Sequence, residues 1–310
     1  MPMLNKVVIF GVGLIGGSFA RSLKKAGAVG SVVGMGRSAA SLKRAQELGI
    51  IDVIGVADAG GGGCTMAEAL HGADLVLLAA PVAQTEAILA AIAPHLQPGT
   101  VVTDAGSTKS DVVASARRAL GGKIAQFVPG HPIAGRETNG PEAAIDDLYV
   151  GKKVVLTALD ENSAQDVERV AAAWRACDAI IHRLTPQEHD KVFAAVSHLP
   201  HLLAYALVDD IANKPHADLL FQYAASGFRD FTRIAGSSPE MWRDISLANQ
   251  SALLTELDAY LAQLTGLRAR LAAGDGAGLE SVYANAQRAR HQWITAIEAA
   301  EAPPAQAKEI

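Results

Sequence analysis

Four apolar residues, Val7 to Phe10, run straight into Gly11, Gly13 and Gly16, and a segment compatible with a helix follows as far as Gly27. Apolar runs of the same kind recur at Val32 to Met35, Leu75 to Ala80 and Val101 to Thr103, with helical periodicity between them at Ala39 to Leu48 and Gln84 to Ala93. The run from Leu75 is continuous rather than alternating and is closed by Pro81, as expected of a parallel strand buried on both faces. Pro94 and then Pro98-Gly99 break the helix that follows. Strands alternating with helices predict a doubly wound parallel sheet of the α/β class, with ligands at the carboxyl ends of the strands. Lys153 to Thr157 and Ala179 to Leu184 read as two more strands flanking a helix from Ser163 to Trp174.

The alternation then stops. Thr185-Pro186-Gln187-Glu188 has the form of a helix start, with Thr185 as N-cap, proline at the first position and a carboxylate in the first turn. From there to Ile297 the chain is Ala/Leu-rich and helix-forming, with breaks near Asn213 to His216, Gly236 to Pro239 and Gly274 to Gly278. The expected organisation is an α/β domain over residues 1–184, an all-α domain over 185–300 and a frayed tail over 301–310. Leu253 to Leu264 is apolar on more than one face, which implies burial in a homodimer interface or in a large intrachain core.

The order strand, Gly-x-Gly-x-x-Gly, helix is what backbone N–H groups need if they are to meet a pyrophosphate. Gly11 and Gly13 let the chain turn and approach the phosphates, Leu14 and Ile15 open the helix, and Gly16 lets helix and strand pack closely. Pro81, at the end of a neighbouring strand, belongs to the same expected dinucleotide site. At the end of the second strand stand Gly36, Arg37 and Ser38, where a carboxylate would accept from the ribose 2′-OH of NAD. Without that carboxylate a 2′-phosphate meets no repulsion, Arg37 can pair with it and Ser38 can donate to it. NADP is therefore the favoured cofactor and NAD the alternative.

Composition narrows the remaining classes. A chain of 310 residues, 50% hydrophobic, can bury large cores, and a net charge of −5 with no Lys/Arg run gives no nucleic-acid footprint. The longest apolar stretch considered for a membrane, Leu75 to Val82, is short and contains Pro81, so no membrane partner and a cytoplasmic address are expected. Cys64 and Cys177 are far apart and in no CxxC, which points to neither a disulfide nor a thiolate metal site. Gly60 to Gly63 reads as a flexible loop.

Polar residues just after the strands are the ones to inspect. Asp104-Ala105-Gly106-Ser107-Thr108-Lys109 follows one strand, and Ser107 is suited either to a ligand or to capping the helix expected from Lys109 to Leu120. His131, between Pro129-Gly130 and Pro132, sits in a stiff turn at another strand's end, a placement suited to general-base work. In the helical part, His198 and His201 of SHLPH are three apart around Pro200, which should kink the chain, and no third ligand completes a metal site. In GFRDFTRI, Arg229 and Arg233 flank Asp230; one guanidinium should face an anionic substrate, and the other can pair with Asp230.

GVGLIGGS, DAGSTK, HPIAG, SHLPH, GFRDFTRIA and MWRDI together resemble the prephenate/arogenate (cyclohexadienyl) dehydrogenase family of tyrosine biosynthesis, from about Lys6 to about Arg290. The resemblance implies a Rossmann domain joined to a helical dimerisation domain. It implies oxidative decarboxylation of prephenate to 4-hydroxyphenylpyruvate, or of arogenate to tyrosine, with hydride transfer to a nicotinamide. By the same resemblance His131 is the catalytic base and Ser107 a partner of that histidine and of the substrate. Arg233 holds the substrate carboxylate, with Arg229 as the alternative cation, and His198 and His201 line the pocket.

Two other readings stay open at this stage. Another Rossmann-plus-helical reductase would use an acid/base group on the first long helix of the second domain, where Lys191 lies. A non-catalytic NADP-sensing dimer would leave His131 and Arg233 without a role. Glu137, Thr138 and Gln222 are candidates for discriminating prephenate from arogenate.

Overall fold

The computed structural model describes residues 2–55, 63–136 and 138–301. The expectations for Gly60 to Gly62, Glu137 and the tail from Ala302 lie outside them. The first part of the chain runs β1 (Leu4–Phe10), α1 (Leu14–Lys25), β2 (Val29–Met35), α2 (Ala39–Glu47), β3 (Val53–Ile54), α3 (Met66–Leu70), β4 (Leu75–Leu78), α4 (Thr85–Ile92), β5 (Val101–Asp104), α5 (Ser110–Leu120) and β6 (Phe127–Val128). These six strands form one parallel sheet in the order β3-β2-β1-β4-β5-β6, which is the dinucleotide-binding order with its switch point between β1 and β4.

Both faces of the sheet are covered, and the period of two along each strand sends alternate residues to different cores. Val7 and Ile9 join one cluster with Leu75 and Leu77, while Val8 and Phe10 join the other with Val76 and Leu78. The first cluster is closed by Trp174, fully buried and packed on Phe19 (4.5 Å) and Tyr149 (5.1 Å). Tyr149 also donates its hydroxyl to the Ile15 carbonyl at 2.6 Å, pinning the start of α1.

The last two strands depart from the expected single alternation. After Pro129 the chain leaves the large sheet, and β7 (Gly130–Pro132) pairs antiparallel with β8 (Lys153–Leu156). Following α6 (Ala164–Arg175), β9 (Ile180–Arg183) adds in parallel to β8, giving a separate three-stranded sheet. Proline lacks an N–H to continue a ladder, so Pro129 is where the chain can change sheets. His131 thereby sits on a short strand rather than in a turn.

The helices follow as α7 (Pro186–Phe193), α8 (Leu199–Ala212), α9 (Ala217–Gln222), α10 (Ser226–Thr232), α11 (Pro239–Ala248), α12 (Gln250–Ala272) and α13 (Gly276–Glu301). The capping box read at Thr185 is formed, with Thr185 Oγ1 accepting from Glu188 N and Glu188 accepting from Thr185 N. Just ahead of Pro200, a π-helical turn over Ala194–His198 joins α7 to α8. Such a wide turn absorbs a proline that cannot complete the α-helical ladder. The resulting run, Pro186–Ala212, is long and apolar enough by composition to span a membrane, unlike Leu75 to Val82. Only 22% of its apolar window is buried, and it carries three buried polar residues, His189, Asp190 and His198.

The chain divides into two compact units, Met1–Leu253 and Leu254–Ile310. In the second, α12 and α13 are joined at Gly274, whose φ of +64° suits glycine, and Asp275 accepts from both Arg270 and the Gly278 N–H. Leu253 is buried in the first unit, whereas Leu254 and Leu261 of the second are each 49% exposed.

Candidate active site

The three glycines of the first loop differ in their physical necessity. Gly11 has φ of +94°, and a Cβ there would lie 2.6 Å from the Ala79 carbonyl oxygen. At Gly16 a Cβ would lie 2.2 Å from the Gly11 carbonyl, so only glycine lets α1 approach β1. Gly13 has nothing within 4 Å of a Cβ, and it caps α1 with no side-chain hydrogen bond. Open space at the uncapped N-terminus of a 12-residue helix is what a pyrophosphate requires. A cavity of about 510 Å³ opens there, lined by Gly11, Gly13, Pro81, Arg37 and Ser38 among others. Leu14 is buried and Ile15 half-buried at the head of α1, supporting the loop from below.

At the far end of this cavity Ser38 is the N-cap of α2, accepting from Ser41 N at 3.2 Å and from the Ser41 hydroxyl at 3.1 Å. Its own hydroxyl hydrogen remains available to a ligand. Arg37 is exposed beside it, and among the described residues no carboxylate lines the cavity. The donor set is cationic and hydroxylic where an NAD site places an acceptor.

The loop after β5 is held by a pair of charges with no access to water. Lys109 is fully buried, and its Nζ donates to Asp104 Oδ2 and, at 2.8 Å, to the Gly130 carbonyl. Asp104 accepts in addition from Gly106 N (2.8 Å) and Gly130 N (3.0 Å). These bonds fasten the β5–α5 loop to the residue before His131. Ser107 does not cap α5; that work is done across space by Asp190 of α7, which accepts from Lys109 N and Ser110 N, both at 2.8 Å. A carboxylate is favoured there by the helix dipole as well as by the two donors.

Behind His131 stands a second histidine. His131 Nδ1 lies 2.8 Å from His189 Nε2, and His189 Nδ1 lies 2.9 Å from Asp190 Oδ1. Phe193 packs on both rings. The partner of His131 is thus His189 rather than Ser107, whose backbone instead bonds His198. Burial, with the neighbouring His189 and Lys109, holds the His131 imidazole well below its ordinary pKa, and burial also lowers His189. Burial alone would raise the Asp190 carboxyl, but donors from His189, Ser110 and Lys109 outweigh it and bring it down to about 2.

His198 is buried, accepts from Asn249 Nδ2 at 3.0 Å through Nδ1, and is lowered to about 4, chiefly by desolvation. Asn249 also donates to the Asp190 carbonyl at 2.8 Å, so one amide holds both. His201 donates Nδ1–H to the Ser197 carbonyl at 2.9 Å and stacks on Trp242, with centroids 3.5 Å apart. The two histidines therefore share an aromatic neighbour, His198 meeting Trp242 edge-on at 6.1 Å. Arg233 is close enough for its charge to lower His201. Arg229 is 81% exposed at its side chain and lies 3.7 Å from Asp230. Lys191, the residue on which another reductase class would depend, faces solvent on α7. Among the described residues no group of three or more His, Cys, Asp and Glu could hold a metal ion.

Sequence reasoning missed His189, Asp190, Lys109, Asp104 and Asn249 as parts of this centre. Two local signals were present: a His-Asp pair on α7 and a Lys five residues after Asp104 at a strand end.

Residues 19–183 match a family model described as the prephenate dehydrogenase nucleotide-binding domain, and residues 185–284 match the prephenate dehydrogenase dimerization domain. The chain is similar to a cyclohexadienyl dehydrogenase of Zymomonas mobilis, 36% identical over 94% of this chain and 96% of that protein. A prephenate dehydrogenase of Bacillus subtilis is 34% identical over 92% of this chain and 75% of the other. Among solved structures, prephenate dehydrogenase from A. aeolicus in complex with hydroxyphenyl propionate and NAD+ superimposes with a TM-score of 0.85 at 35% identity, covering 93% of this chain and 98% of that one. Arogenate dehydrogenase from Synechocystis gives a TM-score of 0.76 at 28% identity, covering 93% and 99%.

Proposed function

The chain belongs to the prephenate dehydrogenase family, and on that footing we propose that it oxidatively decarboxylates prephenate to 4-hydroxyphenylpyruvate, with NADP as its favoured cofactor. The observation that carries the reading is His131, set after the carboxyl end of β6 and backed by the buried His189–Asp190 pair, in the same unit as the glycine cradle.

Prephenate carries a secondary alcohol para to a quaternary carbon bearing a carboxylate. Loss of hydride from the carbinol carbon and of CO₂ from the quaternary carbon leaves an aromatic ring. When bound, the nicotinamide supplies the hydride acceptor. The hydroxyl proton leaves as the hydride departs and returns to the same oxygen as the ring becomes a phenol, so the net reaction releases no proton. His131 takes and returns that proton, a role for a base that is neutral at working pH. Arg233, beside His201, holds a substrate carboxylate; Arg229, turned to solvent and Asp230, does not. Ser107, His198 and His201 line the substrate's side of the site. Gly11 to Gly16, with Leu14 and Ile15, hold the pyrophosphate, Pro81 borders it, and Arg37 and Ser38 take the 2′-phosphate.

Residues 1–184 hold the cofactor and 185–300 provide substrate contacts and a homodimer interface, for which exposed Leu254, Leu261 and Leu264 supply apolar surface. The protein works in the cytoplasm on a small molecule, without nucleic acid or membrane. Arogenate is the second reading, supported by the cyclohexadienyl and arogenate dehydrogenases among the relatives.

Initial rates with NADP and with NAD, each against prephenate and arogenate, test the proposal in one four-way assay. Turnover with prephenate and a preference for NADP are expected. A preference for NAD would mean that Arg37 serves no ligand, and silence in all four combinations from a folded protein that binds NADP would remove the reaction.

A further inference from the structure

The position of one proton on His131 follows from its neighbours. The Asp190 carboxylate can only accept, and it already does so from two backbone N–H groups at 2.8 Å. His189 Nδ1, 2.9 Å from Asp190 Oδ1, must therefore carry a hydrogen. His189 has no exposure to water, and burial lowers its pKa and so favours the neutral ring, whose Nε2 is bare. That bare nitrogen lies 2.8 Å from His131 Nδ1, and two lone pairs cannot make a hydrogen bond. His131 Nδ1 therefore donates, and its Nε2 is left as an unprotonated acceptor.

We propose that His189 and Asp190 are positioning residues that lock His131 in the Nδ1–H tautomer, leaving Nε2 free to accept the substrate hydroxyl proton. The proposal rests on the reading of His131 as the base. Free imidazole does not impose this tautomer, whereas an acceptor fixed behind the ring does, and the Asp190 carboxylate fixes His189 Nε2 as that acceptor. Four groups surround the two rings. Lys109, neutralised in part by Asp104, and His198 oppose a second proton on His131, while Asp190 supports the hydrogen on His189. Because the reaction returns its proton to the oxygen it came from, the pair needs no route to water, and the full burial of His189 is compatible with turnover.

Long-range ¹H–¹⁵N spectra of the full chain labelled with [¹⁵N]histidine, with His131 assigned by difference from His131→Asn, read the tautomer directly. The expected result is a protonated Nδ1 and a bare Nε2 on His131 above pH 7. His189→Phe should lose that pattern and lower kcat by at least ~10-fold, with KM for NADP unchanged. His189→Gln, whose amide oxygen can accept from Nδ1–H, should restore the tautomer and most of kcat. A proton on Nε2 of His131 in the unmodified protein would overturn the proposal, and that measurement stands even where a variant fails to fold. So would unchanged kcat in folded His189→Phe. Full turnover by His131→Asn would instead remove the base reading, a separate failure.

Discussion

Lys109→Met takes away a cation that has no exposure to water and leaves its partner in place. Asp104 would lose its ammonium donor but keep the N–H groups of Gly106 and Gly130, and the Gly130 carbonyl would lose its bond from Nζ. Breaking a buried ion pair by removing one member costs about 3–5 kcal/mol, because the other charge stays uncompensated. Two retained donors place this case near the lower end, about 3 kcal/mol. That is a large share of an ordinary domain's stability. The assay is the denaturant midpoint at one fixed protein concentration, since oligomer unfolding shifts with mass action. The pair Lys109→Met with Asp104→Asn removes the stranded charge; the amide oxygen keeps one of the two backbone N–H groups and gives up the other, so the recovery should be about 1 kcal/mol. A single variant within about 1 kcal/mol of the parent, or a double variant no better than the single, would refute this reasoning. Because the same bonds hold the residue before His131, turnover should fall in the folded fraction as well.

Acid should weaken the fold in a defined window. The His198 pKa falls from 6.5 to about 4 on folding, so the unfolded chain takes up a proton first and stability is lost as pH drops from about 6.5 toward 4. The shift corresponds to about 3 kcal/mol, and His198→Gln should flatten the unfolding-versus-pH curve there; an unchanged slope would contradict it. Asp190 acts lower, its contribution being present above 3.8 and lost only as pH falls toward 2. Arg233→Ala should raise the substrate KM at least ~10-fold, whereas Arg229→Ala should leave it nearly unchanged; the reverse order in steady-state kinetics would reassign the carboxylate. Arg37→Ala should raise KM for NADP roughly tenfold or more while leaving NAD unaffected, and equal effects on both would show that no 2′-phosphate is read there.

The parallel sheet was legible because buried strands read as unbroken apolar runs and the glycine loop has local stereochemical demands. Thr185 was legible for the same reason, a cap being a property of four consecutive residues. The second sheet was not, since β7 is three residues long and its direction is set by partners more than twenty residues away in β8. The centre behind His131 was hidden for a related reason. Asp190 caps a helix 80 residues earlier in the chain, and Lys109 was read only as the start of that helix, with nothing local to show that Asp104 and Gly130 close around its ammonium. His131 itself stood out by its flanking prolines, but no local pattern names His189 as its partner. Leu253 to Leu264 was legible as unsatisfied apolar surface, because two-faced hydrophobicity on a helix needs a partner wherever that partner comes from.

The most direct test of the account is turnover by His131→Asn, measured beside NADP affinity on the same preparation. The account predicts a loss of about two to four orders of magnitude in kcat with prephenate, the range for a missing general base, with cofactor binding intact. Turnover within a few-fold of the parent would contradict it.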